Sequence, residues 1–139
     1  MSGIVIVGVD GSETAARAAA AAYKLAQGLE ARLHVITAFD KDNVEVFGSG
    51  SDTFIMSDAD DAQRVAKQVA EGLGSDVEYL SARGKPADAL LSEAERLGAD
   101  VIVVGNRRMS GIGRVLGSVA NTVAHNAPCD VYIVNTTVA

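Results

Sequence analysis

The 139-residue chain has a single cysteine, two histidines and no surplus of positive charge. One cysteine, Cys129, forms no disulfide within the chain, which suits a reducing compartment better than an extracellular one. It follows Pro128 and precedes an apolar run, so it reads as a small buried hydrophobe. His34 and His125 stand apart from each other and from any cluster of thiols or carboxylates, which leaves a metal site without a ligand set. With Lys+Arg 12 against Asp+Glu 18 the net charge is −6, and phosphate backbones need a basic face; nucleic acid is not an expected partner. No stretch approaches the ~20 apolar residues that span a bilayer. The N-terminus also lacks the charged and apolar regions of a secretory signal. The expected location is the cytoplasm, with no membrane partner.

Several motifs are missing as well. No Gly-x-Ser-x-Gly elbow supports a serine nucleophile. No Gly-Lys-Ser/Thr closes a Gly-rich run, so the Walker A lysine is absent, and the first strand is not followed by a dinucleotide fingerprint. Weak ATP hydrolysis stays open as an alternative, although no residue can be named as its base.

What the chain does contain is a succession of short apolar runs alternating with helical patterns. Gly3 to Val9, Leu33 to Ala38, Val101 to Val104 and Val131 to Val134 are nearly continuous aliphatic runs. Such runs suit strands buried on both faces. Val77-Glu78-Tyr79-Leu80 carries a charge and is expected at a sheet edge. Ala62, Val65, Ala66, Val69 and Leu73 repeat with helical spacing, as do Ala87, Leu90, Leu91 and Ala94, and again Leu116, Val119, Ala120 and Val123. Ala15 to Ala26 has high helix propensity and small side chains suited to close packing. Ser12 is its expected N-cap, with Glu13 in the first turn. Asp58 to Asp61 reads as another helix start, Pro86 as a first-turn residue, and Gly28 and Gly98 as helix stops.

The alternation predicts an α/β fold: a doubly wound five-stranded parallel sheet, taken in the common order 3-2-1-4-5, with helices on both faces. Residues 1–139 are expected to form a single domain. Residues 39–57 show little periodicity and centre on Gly48-Ser49-Gly50-Ser51; they are read as a disordered connection or a lid.

Ligands of such sheets bind outside the carboxyl ends of the strands where strand order reverses. In this order the reversal falls between the first and fourth strands. Gly8-Val9-Asp10-Gly11-Ser12 closes the first, and Gly105 closes the fourth ahead of a loop containing Arg107, Arg108 and Arg114. Gly117-Ser118 would then open the last helix with free N–H groups and a hydroxyl for anionic oxygens. Gly105 would permit close backbone approach to a phosphate, and an arginine can hold a phosphate through paired hydrogen bonds. Asp10 is an acceptor suited to a ribose hydroxyl or adenine amino group, or it caps a turn.

In this order and over the full length, these segments resemble a single-domain universal stress protein of the UspA-like family. The matching stretches are Ile4 to Ser12, Leu33-His34-Val35, Gly84-Lys85-Pro86-Ala87, Ala99 to Asn106, Leu116 to Asn121 and Ala127 to Val131. The resemblance implies an adenine nucleotide alpha hydrolase-like fold and a stress-response regulatory module. It also implies an adenine nucleotide ligand (ATP, AMP or cyclic AMP), with Mg accompanying ATP. By position it implies nucleotide contacts from Gly8, Val9, Asp10, Val35, Val104, Gly105, Arg107, Arg108, Gly117, Ser118 and Val119. Val35 and Asp10 fall on the adenine or ribose side, and Val119 beside the phosphates. The family's G-x2-G-x9-G-[ST] pattern is altered here: Arg108 stands at its second glycine, and the interval to Gly117 is one residue short. Either Arg107 and Arg108 are phosphate ligands, or Arg108 blocks the approach and the chain is a nucleotide-independent interaction module. The family habit and the open apolar edge of the last strand point to a homodimer through Val131, Tyr132, Ile133 and Val134.

Overall fold

A computed structural model describes residues 3–40, 44–47, 54–106 and 116–136. The elements run β1 (Ile4–Gly8), α1 (Glu13–Gly28), β2 (Arg32–Phe39), β3 (Val44–Phe47), β4 (Phe54–Ser57), α2 (Asp58–Leu73), β5 (Glu78–Arg83), α3 (Pro86–Leu97), β6 (Val101–Asn106), α4 (Ser118–Asn126) and β7 (Asp130–Asn135). The parallel sheet has the order β5-β2-β1-β6-β7, which is the expected 3-2-1-4-5 with its strands counted along the chain. Val7 lies opposite Val35 of β2 on one side and Val103 of β6 on the other, so β1 is the centre of the sheet. The charged strand β5 and the last strand β7 are its edges, as expected.

Strand alternation sorts the aliphatic side chains between two layers. Val5, Val7, Val35 and Val103 pack under the buried alanines of α1 and α2, namely Ala18, Ala19, Ala22, Ala26, Ala66 and Ala70. Ile6, Ile36, Ile102 and Val104 face Leu90 and Ala94 of α3 and Ala120 and Val123 of α4. Both faces of the sheet are covered by helices, as the nearly unalternated apolar runs imply.

The helix ends follow from local chemistry. The Ser12 hydroxyl accepts the Ala15 N–H at 3.2 Å and caps α1. Pro86 occupies the first turn of α3, and Gly98 ends that helix in the left-handed region at φ 67. Between Phe39 and Asp58 the structure departs from expectation. Val44–Phe47 and Phe54–Ser57 form an antiparallel hairpin outside the main sheet. Four-residue strands are too short to leave a periodic signal, which is why they went unread. The remainder of the expected lid or disordered connection, residues 41–43 and 48–53, lies outside the described residues. Among the described residues no helix is long and apolar enough to cross a membrane.

The small side chains of α1 set how near it lies to the sheet. Ala22 is fully buried, whereas Ala20 on the same helix is exposed. Ala22→Leu is expected to cost about 1–3 kcal/mol of unfolding free energy through overpacking, and Ala20→Leu about 0.5 kcal/mol or less. Urea denaturation of the two variants checks this; equal effects would mean that α1 does not dock by its alanine face.

Candidate functional site

The strands β1, β2 and β6 all end at one side of the sheet, and a cleft of about 510 Å³ opens there. Its volume lies within the roughly 300–1,000 Å³ typical of small-molecule sites. The cleft forms because β1 passes its chain to α1 on one face while its neighbour β6 passes its chain to α4 on the other. The two connections diverge and leave a gap between them.

Most of the residues singled out in the sequence meet here. Gly8, Val9, Asp10, Val104, Gly105, Gly117, Ser118 and Val119 all line the cleft. Asp10 lines it and also shapes the turn before α1, its Oδ1 accepting the Ser12 N–H at 2.9 Å. Val35 does not line it. Its side chain points to the opposite face and is buried beneath α1 and α2; Ile36 and Ala38 reach the cleft instead. Strand alternation turns the Val35 and Ile36 side chains to opposite faces, so the expected contact from Val35 could come only through its main chain. Arg107 and Arg108, with Arg114, Gly111 and Gly113, lie outside the described residues.

Gly105 has a packing reason of its own. A Cβ there would come within 3.0 Å of Thr136 Cγ2 and 3.2 Å of Ala18 Cβ. The strand end is therefore pressed between α1 and the residue that follows β7. Close approach is what the glycine permits, as expected, but the approaching groups are protein. Gly8 likewise faces Leu90 of α3, whose Cδ1 would lie 2.9 Å from an added Cβ.

Sequence reading missed Asn106 and Thr136. Both are buried, at 3% and 2% exposure, and both line the cleft. Asn106 Oδ1 accepts the Gly117 N–H at 2.9 Å, joining the end of β6 to the residue that opens α4. The Asn106 carbonyl accepts the Thr136 N–H at 3.3 Å. The Thr136 carbonyl in turn accepts from Arg17, which also pairs with Glu13 at 2.9 Å on the first turn of α1. A polar residue directly after a strand-ending glycine was the available signal for Asn106. Thr136 carried none, because its role depends on lying beside Gly105 across the sheet.

Three helices begin at the cleft, and they are not equivalent toward an anion. The first-turn N–H groups of any helix lack intrahelical acceptors and carry the positive end of the dipole. In α1 the Ser12 hydroxyl already takes the Ala15 N–H, and Glu13 is a negative charge in the first turn. α3 starts with Pro86, which has no N–H, and carries Asp88 in its first turn. α4 starts at Gly117 with neither a side-chain cap nor an acidic residue in its first turn. An anionic group in the cleft is therefore drawn to the Ser118–Ala120 end. The other end is walled by Ile36, Ala38, Pro86 and Leu90 and suits a flat apolar ring.

Electrostatics narrows the ligand further. Asp10 is the one charged side chain lining the cleft among the described residues. Among the described residues, His34 and Cys129 are shifted by their surroundings and lie away from the cleft. Burial lowers the pKa of His34, partly opposed by Glu78. Burial raises that of the Cys129 thiol, reinforced by Asp130 and Asp100, which makes it a poorer nucleophile than a free cysteine. Among the described residues no group of three or more His, Cys, Asp or Glu could hold a metal ion.

The model of the universal stress protein family matches residues 1–135. The chain belongs to the universal stress protein family. A universal stress protein of Mycobacterium tuberculosis strain H37Rv is 35% identical over 148 aligned residues, covering 96% of each chain. One from Methanocaldococcus jannaschii is 30% identical over 136 residues, covering 94% of this chain and 80% of that one. A solved universal stress protein in complex with cAMP superimposes with a TM-score of 0.71 at 32% identity, covering 97% of this chain and 98% of its own. The fold is thus the adenine nucleotide alpha hydrolase-like fold common to these proteins.

The packing around Gly105 gives a test independent of any ligand. Gly105→Ala is expected to destabilise this universal stress protein by about 1–3 kcal/mol. Adding Thr136→Ser, which removes the Cγ2 methyl, should recover part of that loss. A double-mutant cycle measured by urea unfolding reads the coupling. Additive effects would show that Thr136 is not what Gly105 accommodates.

Proposed function

We propose that the cleft binds one adenine nucleotide and that the protein acts as a cytoplasmic stress-response module whose signal is the occupancy of that site. The observation that carries this reading is the uncapped start of α4 facing an apolar wall across one cleft. Adenine would lie against Ile36, Ala38, Pro86 and Leu90, with Asp10 accepting from ribose or the adenine amino group. A phosphate would sit on the N–H groups of Ser118, Val119 and Ala120. The family relative solved with cAMP supports an adenine ligand for this fold at a similar level of identity.

Within the class, cAMP and AMP suit the described walls better than ATP. A single phosphate of low charge is matched by one helix N-terminus, whereas a triphosphate with Mg calls for cations that the described part of the cleft does not provide. ATP binding would therefore rest on Arg107 and Arg108, as ligands in the loop.

Ser118→Asp separates binding from folding. A carboxylate in the first turn of α4 favours the helix while repelling a phosphate, and like charges brought together cost several kcal/mol. The wild-type chain is expected to bind cAMP at one per chain in calorimetry. The variant should keep its melting temperature and lose affinity on the order of a hundredfold or more. Equal affinity in the two proteins would remove the phosphate from α4.

We further propose a homodimer formed by β7 pairing with its counterpart. A main-chain N–H of the other edge strand, that of Ser81 in β5, is met by Gln63 of α2 at 3.2 Å, which partly closes that edge. On β7, Tyr132 is 45% exposed, a large ring on an edge strand. Tyr132→Lys should shift the mass measured by light scattering from dimer toward monomer without unfolding the chain. An unchanged mass would place the contact elsewhere.

A further inference from the structure

Asn106 stands where three parts of the cleft meet. Its backbone belongs to the last residue of β6, its side chain accepts the Gly117 N–H at 2.9 Å, and its carbonyl accepts the Thr136 N–H at 3.3 Å. The side-chain bond spans 11 residues of sequence, joining the two ends of the segment that contains Arg107, Arg108 and Arg114. Gly117, the N-cap of α4, makes no side-chain cap bond of its own. The amide oxygen also lies 3.2 Å from where a Gly117 Cβ would be, so the contact is close as well as hydrogen-bonded. Asn106 is 3% exposed, and the bond therefore forms largely out of water, where a missing partner is costly.

From this we propose that Asn106 is the positioning residue of the phosphate site, fixing the first turn of α4 before any ligand arrives. The proposal rests on the nucleotide reading of the cleft. By taking the Gly117 N–H, Asn106 orients the cap residue so that the next three N–H groups, those of Ser118, Val119 and Ala120, face the cleft. It also withdraws one donor from the ligand, which keeps the site matched to a single phosphate. Loop ends held together in advance spare the ligand the entropy of ordering them. Through Thr136 and Arg17 the same residue ties this turn to the start of α1 on the far side of the cleft.

Two readouts on the full chain test this. Amide hydrogen exchange by NMR follows Gly117 directly, and calorimetry follows cAMP affinity. In Asn106→Ala the Gly117 amide should lose protection while those of Ile102 and Val103 in β6 keep theirs. Affinity should fall roughly tenfold or more, the scale of one buried hydrogen bond. Asn106→Asp retains an acceptor of the same reach, so Gly117 should remain protected. Its cAMP affinity should be poor at high pH, where a carboxylate faces the phosphate, and should recover as acid neutralises that carboxylate. A purely structural residue would not produce that pH profile.

Affinity unchanged or increased in Asn106→Ala, with Gly117 exposed to exchange, overturns the positioning role and leaves nucleotide binding intact. Loss of Gly117 protection in Asn106→Asp also overturns it. Should Asn106→Ala fail to fold, the exchange and pH profile of Asn106→Asp decide alone. A wild-type chain that binds no nucleotide removes the reading of the cleft, and the role of Asn106 with it.

Discussion

The strands β1 and β6 lie side by side and yet send their chains to helices on opposite faces of the sheet. Every property of the cleft depends on that divergence. A sheet covered on both faces has no room for a ligand among its side chains, because the valines and isoleucines of the central strands are close-packed. The strand ends are different, since the backbone there must leave the sheet and no helix covers the gap between departing chains. Parallel pairing places all such ends on one side, so three helix starts converge on a single opening.

Convergence also imposes close packing at the rim. Gly8 lies against Leu90, and Gly105 against Thr136 and Ala18. The glycines that mark the rim in sequence are thus accounted for by the protein's own packing before a ligand is considered. Val104, one residue earlier, packs instead with Leu90 and Val123 on the α3 and α4 face. The alternation that buries Val35 beneath α1 and α2 is the same rule that brings Ile36 and Ala38 into the cleft.

This rule also marks how far the sequence could be read. The charged β5 edge, the Ser12 cap and the Pro86 and Gly98 helix boundaries were legible, because each depends on local chemistry, whereas the strand order was taken from the common pattern of such folds and agrees with the sheet. The meeting of Asp10 with Gly105 followed from that common order, which alone brings the two ends together. The hairpin of β3 and β4 was not legible, its strands being only four residues each. Asn106 and Thr136 were out of reach for another reason. Their significance lies in hydrogen bonds across 11 residues and across neighbouring strands, and neither leaves a periodic or compositional trace.

If Gly105 answers to Thr136 and Ala18, and Gly117 to Asn106, then the first and last glycines of the family pattern carry less weight as signs of a ligand than their spacing suggests. The weight shifts to features that protein packing does not require. α1 satisfies its own start with Ser12; the N-cap residues of α3 and α4 make no side-chain cap bond, but α3 starts on Pro86 and carries Asp88 in its first turn, whereas α4 has neither a proline nor an acidic residue there. A glycine N-cap costs a helix only about a few tenths of a kcal/mol relative to Ser, Thr, Asn or Asp. An uncapped helix start facing a cleft with an apolar far wall is a cost that an anionic, ring-bearing ligand would offset.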